Sequence, residues 1–143
     1  MKKLISCILV AIVTIAMAAC SLTETKNIEA SVAKSGDVIA ITVASADEGA
    51  TLVEAMRKLK AKDELDFTMS GLYVASIDGK ENAADYSSYW ALFTTDMEKT
   101  CYDAEQSWSY YEYNGKLCGY SNYGAESLQI KAGETYVWVY TVY

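Results

Sequence analysis

One segment of this sequence has the pattern of an amphipathic helix, and strand patterns flank it on both sides. Residues 51–54 (Thr-Leu-Val-Glu) have the form of a capping box, in which a Thr hydroxyl and a Glu carboxylate satisfy amides at a helix start. Apolar residues then recur every three or four positions to Leu59, and the pattern ends near Lys62. A helix with a single apolar stripe must pack on another element, and the neighbouring patterns offer a sheet.

Strand patterns occupy most of the remaining chain. Asp37 to Ser45 is apolar or small on both faces, which predicts a strand near the middle of a sheet. Alternating or β-prone residues predict further strands within Leu65 to Ser70, Gly71 to Gly79, Ser88 to Thr95, Ser109 to Tyr120 and Thr135 to Tyr143. The Asn114-Gly115 pair predicts a hairpin within the fourth of these segments. The sequence therefore predicts an α+β fold with a single sheet and one covering helix.

The N-terminus has the features of a removed leader. Lys2 and Lys3 precede sixteen uncharged residues from Leu4 to Ala19. This run is short for a membrane span, which needs about 20 apolar residues, and it is typical of a secretory signal. The run ends in Ala-Ala-Cys and resembles a bacterial lipoprotein signal, so we expect cleavage before Cys20 and lipid attachment to its thiol. The alternative is an ordinary secretory leader.

The leader divides the chain into three predicted parts. Residues 1–19 are the cleaved signal peptide, residues 20–36 are the lipidated N-terminus and a flexible tether, and residues 37–143 are one folded domain. We expect the domain to lie on the extracytoplasmic face of a bacterial cell membrane, held there by its lipid. Cleavage leaves ten basic and nineteen acidic residues, a net charge of −9. This balance argues against a nucleic-acid partner.

The sequence contains no histidine, which excludes several kinds of active site. Ser-His-Asp and Cys-His catalysis cannot be built, and two cysteines without histidine do not make a zinc site. Asp78, Glu81 and Asp85 lack the spacing of a calcium loop and are more typical of a solvated turn. A carboxylate pair for glycoside hydrolysis stays open, although no spacing selects one. We therefore expect no enzymatic activity, no cofactor and no metal.

Aromatic residues of the C-terminal half are the candidate binding residues. If the hairpin and its loops are exposed, their rings have no core to enter and mark a recognition surface. The ligand-binding candidates on this basis are Trp108, Tyr110, Tyr120 and Tyr123. The alternative is a sheet face covered by neighbouring loops. In the Tyr89-Trp90 pair, strand alternation places one ring in the core and the other on the far side of the sheet.

Cys101 and Cys118 are the two thiols of the predicted mature chain besides Cys20. Outside the cell such a pair can form a disulfide, which would close a short loop and stabilise the fold by roughly 3 kcal/mol. The alternative is two free, half-buried thiols.

Several segments line up, in order, with a known family. They are "GATLVEAM", "GLYVASIDG", "SYWALF" and "YNGKLCGYSNYGAESLQIKAGETYVWVY". Together they resemble the C-terminal β-domain of transcobalamin and intrinsic factor, and more closely its bacterial relatives, a domain family of unknown function in surface lipoproteins. The resemblance covers about Asp37 to Tyr143. It implies a β-grasp-like mixed sheet crossed by one helix, and a corrinoid-like ligand.

These observations predict a membrane-anchored binding module that captures a small, flat ligand. The alternative is a structural or adhesive surface domain that docks a protein or a cell-wall glycan. An aromatic-lined pocket between the hairpin and the inserted segment of residues 96–109 would favour the first, and a flat face would favour the second.

Overall fold

The computed structural model describes residues 24–143. The predicted signal peptide and the lipid attachment site at Cys20 lie outside these residues. The described elements are β1 (Ile28–Ser35), β2 (Val38–Ala46), α1 (Leu52–Ala61), β3 (Phe67–Ser70), β4 (Tyr73–Ile77), β5 (Lys80–Glu81), β6 (Ser88–Thr94), β7 (Tyr110–Tyr113), β8 (Lys116–Tyr120) and β9 (Thr135–Val142). The predicted α+β class is confirmed, since one helix accompanies a mostly antiparallel array of strands.

The strands form two sheets, where the sequence predicted one. Six strands make the main sheet in the order β1-β2-β9-β6-β8-β7, and β3-β4-β5 make a small sheet. Tight turns produce the small sheet: Gly71 and the Asp78-Gly79 pair have positive φ angles, so β3, β4 and β5 fold back on one another.

Every strand pairing within residues 24–143 is antiparallel, so the expected mixed sheet is not observed. The path of the segment between β8 and β9 explains the difference. Residues 121–134 carry the chain back to the end of β6, where the Thr95 N–H donates to the Thr135 carbonyl. The last strand therefore enters from that end and runs antiparallel to both of its neighbours, β2 and β6.

Strand β1 corrects the predicted tether of residues 20–36. Residues 28–35 pair along the whole of β2 through a turn at Gly36, which has a positive φ angle. Ile28 is buried, and Ala30 and Val32 pack against the main core. The missed signal was this weak alternation of small apolar residues followed by Ser-Gly-Asp. The ordered domain therefore begins well before Asp37.

The main core lies between one face of the main sheet and the layer formed by α1 and the small sheet. The apolar stripe of α1 is buried from Leu52 to Leu59, as the sequence predicted. The capping box is also present, and the Thr51 N–H donates to the Glu54 carboxylate at 2.8 Å. No helix within the described residues has the length and apolar character of a membrane span.

A smaller apolar cluster covers the opposite face of the main sheet. Phe93, Cys118 and Val137 are buried there, and half-buried tyrosines surround them. Tyr89 belongs to this face, whereas Trp90 belongs to the main core. The predicted division of the Tyr-Trp pair is therefore confirmed.

Candidate functional site

A cleft of about 840 Å³ lies between the small sheet and the segment that follows β8. We call it the cleft throughout. Its floor contains Trp90 and Leu92 of β6 and Trp138 of β9, which share the core-facing side of the main sheet. Leu92 and Trp138 are opposite one another in the β6–β9 ladder. The floor is therefore apolar and is positioned by two central strands.

The cleft exists because β8 ends early beside β6. β8 pairs with β6 only at Phe93 and Thr94, although β6 begins at Ser88. After the Ser121 N–H donates to the Leu92 carbonyl, the chain turns away, and the Asn122 N–H donates to the Lys99 carbonyl. The first part of β6 thus has β9 on one side and no strand on the other, and the space on this open side is the cleft.

Hydrogen bonds from Asn82 hold the wall formed by the small sheet. Its side-chain N–H donates to the Val74 carbonyl at 2.9 Å, and its oxygen accepts the Trp90 N–H at 2.9 Å. The Trp90 indole N–H donates to the Lys80 carbonyl at 2.8 Å. These bonds tie the small sheet to β6 and fix the position of this wall.

The start of helix α1 holds the opposite wall. The Leu52 N–H donates to the Leu128 carbonyl, and the Val53 N–H donates to the Ala125 carbonyl, both at 2.9 Å. First-turn amides have no partner within their own helix, so the segment after β8 satisfies them. The Ser121 hydroxyl donates to the Tyr123 carbonyl at 2.8 Å and orders the nearer part of this wall.

Four large, exposed side chains stand among the residues that line the cleft. Leu72 and Tyr73 are 67% and 76% exposed at the β3–β4 turn, and Tyr86 and Tyr123 are 74% and 45% exposed on the flanking loops. Tyr86 also has a positive φ angle of 58°, which is strained for a bulky residue. Exposed aromatic rings around one hollow are typical of a recognition site.

The two tryptophans of the floor differ in their hydrogen bonding. The Trp90 indole N–H has a carbonyl partner, as described above. The Trp138 indole N–H is buried, since Trp138 is only 4% exposed, and it has no hydrogen-bond partner among residues 24–143. A buried donor without an acceptor is costly, so Trp138 needs an explanation beyond packing.

The lining is nearly free of charge. Glu81 is the one acidic residue among those that line the cleft, and no Lys or Arg lines it. The chain as a whole carries an excess of acidic residues. The cleft is therefore suited to an uncharged ligand and not to an anionic one.

The structure divides the four predicted ligand-binding residues into two pairs. Tyr120 and Tyr123 line the cleft. Trp108 and Tyr110 do not line it, and we call these two exposed residues, together with the exposed Tyr102, the hairpin cluster. Trp108 lies edge-on to Tyr120 at 6.1 Å, and Tyr110 lies edge-on to Tyr102 at 5.9 Å. No residue of 96–109 lines the cleft, so the cleft is not the pocket between the hairpin and this segment that would have favoured ligand capture.

Sequence reasoning missed Leu72, Tyr73, Tyr86 and Trp138 as lining residues. Leu72 and Tyr73 adjoin Gly71, and two large apolar residues beside a turn glycine are an available signal of exposed rings. Trp138 had no such signal, because a tryptophan in an apolar terminal strand is typical of a core residue.

Cys101 and Cys118 are both free thiols in the structure, so the disulfide alternative is not observed. Cys118 is buried in the smaller apolar cluster, and this burial raises the pKa of its thiol. The Cys101 sulfur lies 3.6 Å from the Tyr120 carbonyl oxygen. The two side chains serve packing at different places.

The three carboxylates considered for calcium do not converge. Asp78 pairs with Lys34 at 2.8 Å, and Asp85 accepts the Ser87 N–H at 3.0 Å. Within residues 24–143 no group of three or more carboxylate or cysteine side chains is arranged to hold a metal ion. Asp96 is the one buried charged residue of the described chain, and Lys131 neutralises it at 3.2 Å.

No protein-family model, curated protein or solved structure matches this chain.

Proposed function

We propose that this chain is a membrane-anchored extracytoplasmic binding module that captures a small, flat ligand in the cleft, without catalysis. The observation that carries the proposal is the combination of an apolar indole floor with exposed aromatic rings around one hollow. Floor residues on paired strands cannot move apart easily, so the site is largely pre-formed. Rings on the surrounding turns can close over a flat ligand.

The membrane part of the proposal rests on the leader. Cys20 would receive the lipid, and residues 21–27 would connect it to β1. Labelling with an alkyne fatty acid tests this in a bacterial host that processes lipoproteins. We expect label on the wild type and on Cys7→Ser, whose substituted residue would be removed with the leader. We expect none on Cys20→Ser, and label on that variant would contradict the assignment.

The resemblance to the transcobalamin C-terminal domain supports a corrinoid-like ligand. Such a ligand is flat and broad, as the aromatic lining requires. The β-grasp-like architecture belongs to this proposal too, and its support is the single helix that covers one face of the main sheet.

Tryptophan fluorescence of the purified full-length chain tests ligand capture. Two of the three tryptophans lie on the cleft floor, and Trp108 lies outside it. We therefore expect quenching by cobinamide or cobalamin that survives in Trp108→Phe. The double variant Tyr73→Ala/Tyr123→Ala should bind at least tenfold more weakly. Failure of cobinamide, cobalamin and a panel of uncharged flat heterocycles to bind would refute capture.

The hairpin cluster supports the second candidate function, adhesion to a protein or cell-wall glycan. Trp108 is 54% exposed and Tyr102 is 40% exposed, outside the cleft. Sedimentation with isolated cell walls tests this function. Retention that Trp108→Ala abolishes and Tyr73→Ala preserves would favour adhesion over capture.

A further inference from the structure

The exposed edge of β6 presents main-chain groups to the cleft. The Thr95 N–H donates to the Thr135 carbonyl, and the Tyr143 N–H donates to the Ser87 carbonyl, so odd-numbered residues face β9. In an antiparallel ladder, alternate residues direct both of their main-chain groups to the same side. The main-chain groups of Ser88, Trp90 and Leu92 therefore point away from β9, toward the cleft.

Three of these six outward groups already have partners. The Ser88 carbonyl accepts the Ala83 N–H at 2.8 Å, and the Leu92 carbonyl accepts the Ser121 N–H at 2.9 Å. The Trp90 N–H is satisfied by the Asn82 side chain. Two adjacent groups are left between these bonds, the Trp90 carbonyl and the Leu92 N–H. The β6–β8 ladder stops at Phe93, and no turn, loop or side-chain group of residues 24–143 hydrogen-bonds to either of the two.

These two groups lie on residues that are each 6% exposed, on the floor of the cleft. Buried main-chain groups are almost always hydrogen-bonded, because an unsatisfied group loses its interaction with water. The unpaired indole N–H of Trp138 also lies at the floor of the cleft, since Trp138 is opposite Leu92 in the β6–β9 ladder. Three unpaired polar groups thus collect on an otherwise apolar floor.

We propose that the cleft selects an uncharged ligand that offers an N–H donor and a carbonyl acceptor along one edge, as an amide or a lactam does. The ligand N–H donates to the Trp90 carbonyl, and the ligand carbonyl accepts the Leu92 N–H. The inference rests on the proposed capture function and adds the chemical class of the ligand. A lining with one acidic residue, Glu81, and no basic residue favours a neutral molecule.

The short length of the free edge distinguishes this ligand from an extended peptide. Addition of a strand uses successive main-chain groups along several residues. Here the Asn82 side chain blocks one end of the free edge, and Ser121 blocks the other. Room is left for one donor and one acceptor, which fits a compact ring or a single amide group.

Two-dimensional NMR of the ¹⁵N-labelled full-length chain tests the inference with matched probes. The probes are quinolin-2-one, which has both groups, its N-methyl analogue, which lacks the donor, and naphthalene, which lacks both. We expect quinolin-2-one to bind about tenfold more tightly than the N-methyl analogue, because the analogue leaves the Trp90 carbonyl unsatisfied. The Leu92 amide resonance should shift downfield on binding.

Two outcomes overturn the inference. Equal binding of all three probes at the cleft, with an unchanged Leu92 resonance, would refute the ligand class and leave capture of a flat ligand intact. Absence of binding by quinolin-2-one would also refute the ligand class, and the fluorescence titration would then decide capture separately. A Trp108→Phe control should leave the preference among the probes unchanged, because Trp108 lies outside the cleft.

Discussion

The cleft and the hairpin cluster both expose aromatic rings, yet they differ in what lies beneath those rings. In the cleft, Tyr73 and Tyr123 are exposed beside a hollow whose floor holds Trp90 and Trp138. In the hairpin cluster, Trp108 contacts Tyr120 edge-on and its indole N–H donates to the Gln106 side chain at 3.2 Å. Each ring of the hairpin cluster thus packs edge-on against another ring, Trp108 against Tyr120 and Tyr110 against Tyr102, whereas Tyr73 and Tyr123 lie beside an open hollow.

The difference shows that exposure of aromatic rings is a weak guide to a binding site unless concavity accompanies it. β8 ends at Tyr120, and the chain then leaves the edge of β6. The hollow forms at this strand end. The small sheet and residues 121–134 lie around the open edge of β6 but do not fill the space that a further strand would occupy.

The largest difference between the two regions should appear in stability. Trp90→Ala removes a buried ring with its indole hydrogen bond and should lower the free energy of unfolding by about 3–5 kcal/mol. Trp108→Ala should lower it by less than about 0.5 kcal/mol, since the ring is exposed. Urea denaturation followed by circular dichroism measures both. A comparable loss for Trp108→Ala would show that the hairpin cluster is a second core.

The wall of the cleft should depend on a single amide side chain. Asn82→Ala leaves the Val74 carbonyl and the Trp90 N–H without partners, which should lower the free energy of unfolding by about 1–3 kcal/mol. Asn122→Ala is the matched control, because the Asn122 side chain makes no hydrogen bond within residues 24–143. Thermal denaturation should separate the two variants, and equal melting temperatures would disprove the role of Asn82.

Substitutions of exposed rings should lower ligand affinity in the cleft but not in the hairpin cluster, with no change in stability at either place. Tyr73→Ala and Tyr123→Ala should each weaken binding of quinolin-2-one about tenfold, because each ring lies beside the bound ligand. Tyr110→Ala should leave affinity within twofold, since this ring belongs to the hairpin cluster. Isothermal titration calorimetry measures all three. Loss of affinity in Tyr110→Ala alone would move the binding site to the hairpin.

The two floor tryptophans should respond differently to the same substitution. Trp90→Phe loses the hydrogen bond to the Lys80 carbonyl, whereas Trp138→Phe removes a donor that has no partner in the described chain. Trp90→Phe should therefore be more destabilising by about 1 kcal/mol. The difference between urea midpoints checks this order. A reversed order would mean that the Trp138 indole N–H finds an acceptor in solution.

The smallest expected effect on the free energy of unfolding is that of a substitution at the start of helix α1, which belongs to neither aromatic region. The Thr51 N–H holds the pKa of the Glu54 carboxyl below its usual value of 4.5, and Lys26 lowers this pKa further. The stabilisation is therefore present above that usual value and is lost as the pH falls through the lowered pKa. Glu54→Gln should lower the free energy of unfolding by about 0.5 kcal/mol at neutral pH.

The matched measurement for Glu54→Gln is the same urea titration repeated at successively lower pH, where the difference in unfolding free energy from the wild type should narrow as the pH falls through the lowered pKa of Glu54. Ligand affinity should be unchanged, since main-chain hydrogen bonds from α1 hold the cleft wall. If the difference in unfolding free energy persists in acid, the effect of Glu54→Gln comes from the shape of the side chain and not from its charge.

Local patterns predicted much of the fold. The capping box placed the start of α1, and the Asn-Gly pair placed the β7–β8 hairpin. Strand alternation predicted that the rings of the Tyr89-Trp90 pair lie on opposite faces of the sheet, as they do. These features depend on residues close together in sequence, so they can be predicted without knowledge of how distant segments pair. β1 was missed because its small residues give a weak alternation.

The sequence by itself determined an α+β chain with a capped helix, a tyrosine-rich sheet and no histidine for catalysis. The tertiary structure alone decided where strands meet and where they stop. Pairing between distant segments placed β9 beside β6 and left part of the β6 edge free, and the cleft with its unpaired Trp90 carbonyl and Leu92 N–H follows from that. No periodicity encodes such a gap, because it is a property of pairing between strands and not of any one strand.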